Sequence, residues 1–438
     1  MKKLLAVFLI ILALPFGALA AGDADPLLQR AQSVLDALTN GRYSEISAQF
    51  DETMRAAVSE EAIAQGWEAI LAQYGGYVGV ETTQASSENR SVALTLAHEN
   101  GSVMMTVSFN GQFLISGLLL RPASTTVAPV EKALPEGAAE LETSLFPGSG
   151  RELRASVVLP AGHSASTPCV VLVQGSGASD MDETIGPNKP FRDLAYGLAG
   201  LGVASLRFDK ISYAHPELPI ETVNQEYLEP VAEALRVVAE QTGSSSIYVA
   251  GHSQGGILTP WLVDECGFTG GIVLAGTPSP LWKMSYDQNL QVIASMPEDQ
   301  RGALLAQVES ERERAETIVR LTDEEARQQT VFGMNALYLK SMDVLDQTAI
   351  ADQTEKPFLF LWGESDFQVS RTAFDGWRQA LGDGSRYTYL TYAGLNHLFM
   401  PAQEGDSLMY VQEAYARPAQ VDSAVAADIA AWLAARQP

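Results

Sequence analysis

Gly251-His252-Ser253-Gln254-Gly255 follows the short apolar run Ile247-Tyr248-Val249-Ala250 and precedes a segment that continues through Gly256-Ile257-Leu258 to Leu262 and Val263. The run reads as a buried strand and the segment as a helix. A Gly-x-Ser-x-Gly turn at such a junction forces the serine onto a tight corner, with its hydroxyl exposed above a sheet. Glycine is needed two residues before and two after, because a Cβ there collides with neighbouring backbone. The helix aims N–H groups and its positive dipole end at a reacting oxygen that gains charge. The pentapeptide occurs once in the chain, in the strand–turn–helix setting its chemistry requires.

Around this corner, strands and helices alternate. Glu140–Phe146 and Glu152–Leu159 flank Pro147-Gly148-Ser149-Gly150 as a hairpin. Apolar strands follow at Cys169–Val173, Val203–Phe208, Ile247–Ala250, Gly271–Ala275, Phe358–Trp362 and Tyr387–Leu390. Helical segments lie between them at Phe191–Ala199, Leu228–Glu240, Leu258–Glu265 and Arg371–Leu381, and a last helix carries Val421, Val425, Ile429, Trp432 and Leu433. The alternation implies an α/β domain over 139–438, with a mostly parallel eight-stranded sheet and helices on both faces. Residues 283–345 break the rhythm. They are charged and helical without a strand signal, and they read as a helical cap inserted above the carboxyl edge of the sheet.

A serine hydroxyl needs a base, most often histidine. The five histidines are His98, His163, His215, His252 and His397. The first three lie in an N-terminal block and in loops before later elements. His252 sits inside the corner, aimed away from the reactive side of Ser253. His397, in Gly394-Leu395-Asn396-His397-Leu398-Phe399, follows the last strand, at the edge where α/β folds bind ligands. An acid must orient it. Asp366, just after the strand Phe358–Trp362, is the choice, with Glu364 as the fallback. The order Ser253, Asp366, His397 is that of α/β-hydrolases. Gln174-Gly175-Ser176-Gly177 ends the third strand. Its glycines let backbone approach a substrate, so the Ser176 and Gln254 N–H groups form an expected oxyanion hole.

Gln174-Gly175-Ser176-Gly177, Asp182 to Lys189, Arg207-Phe208-Asp209-Lys210, the serine corner, Gly363–Val369 and Asn396-His397-Leu398-Phe399 together resemble the α/β-hydrolases of the esterase group, with prolyl-peptidase-like and dienelactone-hydrolase-like relatives. The resemblance implies a serine hydrolase of carboxylic esters that works through an acyl-enzyme. One departure is Gln174, where the family usually has histidine; it bears on the geometry of the oxyanion loop, not on the triad. Peptidase, thioesterase and acyltransferase chemistry on the same triad remain open, as does a binding protein on a hydrolase scaffold.

Upstream, Leu27, Leu28, Ala31, Val34, Leu35 and Leu38 recur at helical spacing, and helical patterns resume at Ser44–Val58 and Glu60–Tyr74. The period then becomes two at Val92–Leu96, Val103–Val107 and Phe113–Gly117, with Asn100-Gly101 and Asn110-Gly111 as hairpin turns. Three helices and an antiparallel meander make an α+β domain over 22–121. With Gln65-Gly66-Trp67 and Tyr74-Gly75-Gly76, this block resembles NTF2-like accessory domains of the DUF3887 type. The resemblance implies dimerisation or small-molecule binding, with a passive spacer as the remaining alternative. Residues 122–138, beginning with a stretch rich in Ala, Thr, Val and Pro, read as a linker.

Lys2 and Lys3, the apolar run Leu4–Leu14 and Ala18-Leu19-Ala20 read as a signal peptide over 1–20, giving a secreted or periplasmic protein with no membrane partner after cleavage. Loss of Lys2 and Lys3, with no acid lost, takes the formal charge from −25 to −27. Such acidity argues against nucleic acid and anionic membranes as partners. Cys169 and Cys266 read as two buried free thiols at the lower ends of separate strands. No Cys or His cluster has metal-ligand spacing, and neither a metal nor an organic cofactor is expected.

Overall fold

The computed structural model describes residues 26–86, 90–122, 132–148, 150–296 and 298–436. The expected leader, most of the linker and Ser149 lie outside them. The chain divides into two units, Met1–Thr126 and Val127–Pro438.

In the first unit, helices Pro26–Thr39, Tyr43–Ser47, Glu52–Ala57 and Glu60–Tyr74 precede strands β1 (Tyr77–Ser86), β2 (Ser91–His98), β3 (Gly101–Phe109) and β4 (Ile115–Pro122). The strands form one antiparallel sheet in chain order. Leu27, Ala31, Val34 and Leu38 share a buried cluster with Val92, Leu94, Leu96, Met105 and Val107. The helical stripe and the period-two strand faces are thus two sides of one core. The expected helix over 44–58 is interrupted at Phe50, which is fully buried and forms a bridge to Ile115. Asp51 then caps a new helix, its side chain accepting the Met54 N–H at 2.8 Å.

The second unit holds β5 (Ala139–Leu145), β6 (Leu153–Leu159), β7 (Cys169–Val173), β8 (Ala204–Phe208), β9 (Ile247–His252), β10 (Gly271–Leu274), the two-residue ribbon β11 (Thr330–Val331) and β12 (Met334–Asn335), β13 (Phe358–Gly363) and β14 (Tyr387–Tyr392). Eight strands make one sheet in the order β14-β13-β10-β9-β7-β8-β6-β5. The β5–β6 hairpin and the β6–β8 pair are antiparallel, and the remaining pairs are parallel. This is an α/β-hydrolase fold. The strand order reverses around β7, and the crevice outside the carboxyl ends of strands at such a point is where α/β sheets bind ligands.

Every residue of β7, β8, β9, β10 and β13 is buried, as a sheet covered on both faces requires. Helices Pro190–Ala199 and Ser423–Ala434 pack together, and Glu229–Thr242 packs against Gln254–Cys266. Between β10 and β13 the chain forms helices Leu281–Ala294, Glu298–Ala315, Asp323–Arg327, Ala336–Asp343 and Gln347–Gln353. The ribbon β11–β12 interrupts a segment expected to lack strands; Phe332 and Gly333, both at positive φ, close its turn.

Both cysteines are free. Cys169 opens β7 and is buried, but Cys266 is half-buried and ends helix Gln254–Cys266, not a strand. Burial pushes both thiols up to about 12, which keeps them protonated and unreactive at neutral pH.

Candidate active site

Ser253 sits between β9 and helix Gln254–Cys266 with φ +52° and ψ −113°, a conformation residues other than glycine seldom adopt. Its N–H donates to the Leu274 carbonyl at 2.8 Å. Sterics explain the flanking glycines. A Cβ on Gly251 would stand 2.1 Å from the Gly255 carbonyl oxygen. One on Gly255 would stand 2.6 Å from the carbonyl oxygens of both Val173 and Gln174. The corner therefore presses directly against the end of β7. A Cβ on Gly175 would lie 3.1 Å from that of Ser253.

Asp366 leaves β13 in a tight turn. Its Oδ1 accepts the N–H groups of Gln368 (2.7 Å) and Val369 (2.9 Å), and its Oδ2 accepts His397 Nδ1–H at 2.7 Å. The Asp366 side chain is fully buried and His397 is 3% exposed. With Nδ1 engaged, Nε2 is the nitrogen left for a reacting proton. Glu364, the fallback acid, is exposed and accepts instead from Thr391 Oγ1 at 2.8 Å. Asn396 shapes the histidine loop, its side-chain oxygen accepting the N–H groups of Leu398 and Met400.

His252 joins these parts. Its Nε2 lies 3.0 Å from the His397 carbonyl oxygen and its Nδ1 lies 2.9 Å from Glu183 Oε1. Glu183 Oε1 also accepts the Gly175 N–H at 2.8 Å. Glu183, at φ +52°, is itself strained and buried. Burial disfavours the charged His252 ring, but the charge and hydrogen bond of Glu183 outweigh it and raise the imidazole above its ordinary value. His252 and Glu183 were not among the expected site residues. The only sequence signal for Glu183 is its place in the Asp182–Lys189 segment.

The loop Gln174–Gly177, the expected oxyanion loop, is held from several sides. Gln174 is buried, and its Nε2 donates to the carbonyl oxygens of Phe208 and Asp180. The amide thus pins the loop to the end of β8. Ser176 is half-buried beside Gly175. Gln254, 2% exposed, opens the helix after Ser253, and its side chain donates to Tyr338 Oη at 2.7 Å. Tyr338 lies on helix Ala336–Asp343, within the segment expected to form a cap. Lys210 is fully buried under the loop, where desolvation pulls its ammonium below its ordinary value against the pull of Glu226.

The other histidines lie elsewhere. His98 Nδ1 lies 2.9 Å from the Gly75 carbonyl oxygen inside the N-terminal unit, and His215 Nε2 lies 2.8 Å from that of Glu152. Among the described residues no cluster of His, Cys, Asp and Glu could hold a metal ion, and no helix is long and apolar enough to cross a membrane.

A serine on a strained strand-to-helix corner after β9, and a buried acid–imidazole pair on the loops that follow β13 and β14 of the same sheet, are features of the α/β-hydrolase class. The chain is a homologue of Esterase EstD of Thermotoga maritima, 28% identical over 428 residues that cover 97% of this chain and 98% of the relative. Residues 31–118 match the family described as a protein of unknown function, DUF3887. Similar solved structures include the Pyrococcus furiosus esterase PF2001, at 12% identity and TM-score 0.44, covering 72% of this chain and 98% of that one. Est1E from Butyrivibrio proteoclasticus follows at 17% identity and TM-score 0.42, covering 63% and 96%.

Proposed function

We propose that this protein is an exported serine carboxylesterase acting on small-molecule esters. The 2.7 Å contact between His397 Nδ1 and Asp366 Oδ2 carries the reading, because it is the second half of a triad whose first half is the strained Ser253. Homology to a protein named an esterase supports the reaction class. Ser253 Oγ attacks the ester carbonyl while His397 Nε2 takes its proton. Asp366 holds the ring and stabilises the imidazolium. The N–H groups of Ser176 and Gln254 receive the oxyanion, where loss of one donor costs roughly 3–4 kcal/mol of transition-state stabilisation. The proton passes to the leaving alcohol, an acyl-enzyme remains, and water activated by His397 releases the acid.

Export is supported by the leader pattern at residues 1–20. Homodimerisation through the N-terminal domain is supported by its NTF2-like resemblance; light scattering with and without residues 22–121 tests it. The enzymatic reading is tested by turnover of short aryl esters by residues 21–438. Hydrolysis should be abolished in Ser253→Ala, and equal rates in both proteins would refute it.

A further inference from the structure

Lys210 is 1% exposed, a burial that lysine rarely accepts without a task. Its Nζ donates to the Gly175 carbonyl oxygen at 2.7 Å, to that of Gly177 at 3.0 Å, and to Tyr227 Oη at 2.7 Å. Those three partners use its three protons. Tyr227, also 1% exposed, passes its own proton to the Gly175 carbonyl at 2.8 Å. Both lone pairs of that oxygen are therefore occupied.

The Gly175 carbonyl and the Ser176 N–H belong to one peptide unit. A trans peptide is planar, and its C=O and N–H point in opposite directions. A grip on the carbonyl therefore fixes where the Ser176 N–H points. The Gly175 N–H is fixed as well, by Glu183 at 2.8 Å. A cation at the carbonyl also polarises the peptide and makes its N–H a stronger donor.

The same network reaches the side chain of Gln254, the residue whose backbone N–H is the second expected oxyanion donor. Glu226 Oε1 lies 3.3 Å from Lys210 Nζ and accepts Ser212 Oγ–H at 2.7 Å. Glu226 Oε2 accepts Tyr338 Oη–H, and Tyr338 Oη accepts Gln254 Nε2–H at 2.7 Å.

We propose that Lys210, with Tyr227, is a positioning residue that sets the direction of the Ser176 N–H, and that Glu226 and the cap residue Tyr338 extend this grip to Gln254. One buried network then braces both oxyanion donors and ties them to the cap. This inference rests on the esterase reading.

The test uses the full mature chain and the variants Lys210→Met, Tyr227→Phe and Tyr338→Phe. The readouts are kcat and KM on an aryl ester, and affinity for an aryl trifluoromethyl ketone, which forms an oxyanion adduct with the serine. Lys210→Met and Tyr227→Phe should lower kcat about 10- to 100-fold, leave KM within about threefold, and weaken the ketone by the same factor as kcat/KM. Tyr338→Phe should act in the same sense and more weakly. Unchanged kcat, or a fall in kcat with ketone affinity retained, in an otherwise active enzyme would overturn this inference alone. A wild type that neither hydrolyses the ester nor binds the ketone would overturn the esterase reading and the inference together. Should Lys210→Met fail to fold, Tyr227→Phe, which keeps the ring and loses only the hydroxyl, decides.

Discussion

His252 Nε2 lies 3.0 Å from the carbonyl oxygen of His397, so the residue preceding Ser253 holds the backbone of the expected base. Through Nδ1 the same ring holds Glu183, which holds the Gly175 N–H. The serine corner, the His397 loop and the Gln174–Gly177 loop are thus joined through one imidazole.

The folded-state value of His252 is raised, so the native protein binds this proton more tightly than the unfolded chain. The stabilisation is fully present below the unfolded histidine value, about 6.5, and is lost as pH rises through the folded value. Glu183→Gln should therefore cost most stability below about pH 6.5, with the difference from wild type narrowing at alkaline pH. Chemical denaturation at a series of pH values measures this; a difference that grows with pH would reverse the assignment.

Asp366→Asn preserves shape but removes the carboxylate that fixes the His397 tautomer. In a working triad such a change costs about 10⁴-fold in kcat. Steady-state kinetics should show that loss with the melting temperature little changed. Activity within about tenfold of wild type would place the orienting acid elsewhere.

Gly255→Ala drives a methyl to 2.6 Å from the carbonyl oxygens of Val173, which ends β7, and Gln174, which follows it. Backbone cannot yield as a flexible side chain does, so the cost should exceed about 3 kcal/mol. A soluble Gly255→Ala protein melting near wild type would show that the serine corner does not press on these oxygens.

Asp343, at the end of helix Ala336–Asp343, has its carboxyl pushed up to about 6 by burial, against the Trp282 Nε1–H donated at 2.6 Å. Its other oxygen is buried without a hydrogen-bond partner. The folded state binds this proton more tightly than the unfolded chain, so the penalty is absent below about pH 4 and complete above about pH 6, worth about 2–3 kcal/mol. Asp343→Asn should raise the melting temperature at pH 7.5 and leave it unchanged at pH 4. Equal effects at both values would show that the charge is not the cause.

The parts of the fold with a local cause were legible in the sequence. Most strands of the large sheet announce themselves as apolar runs, β5 (Ala139–Leu145, with two glutamates) only through the turn Pro147–Gly150, and Ser253, Asp366 and His397 each lie within five residues of a strand's end. Strand β1 was not read because Tyr77–Ser86 is largely exposed, with Val78 and Val80 facing outward, so no apolar alternation marks it. The break at Phe50 depends on a bridge to Ile115, a partner invisible to local periodicity. Glu183, Lys210 and Tyr227 escaped for the same reason. Each is a polar residue in a loop or helix whose burial exists only once β7 and the serine corner meet. Only the Asp182–Lys189 and Arg207–Lys210 segments, singled out by resemblance, hinted at the first two.

The most direct measurement is covalent labelling by a fluorophosphonate, followed by peptide mapping of the modified residue. The triad account predicts a single adduct on Ser253 in the wild type and none in Ser253→Ala. An adduct on another serine, or equal labelling of both proteins, would contradict it.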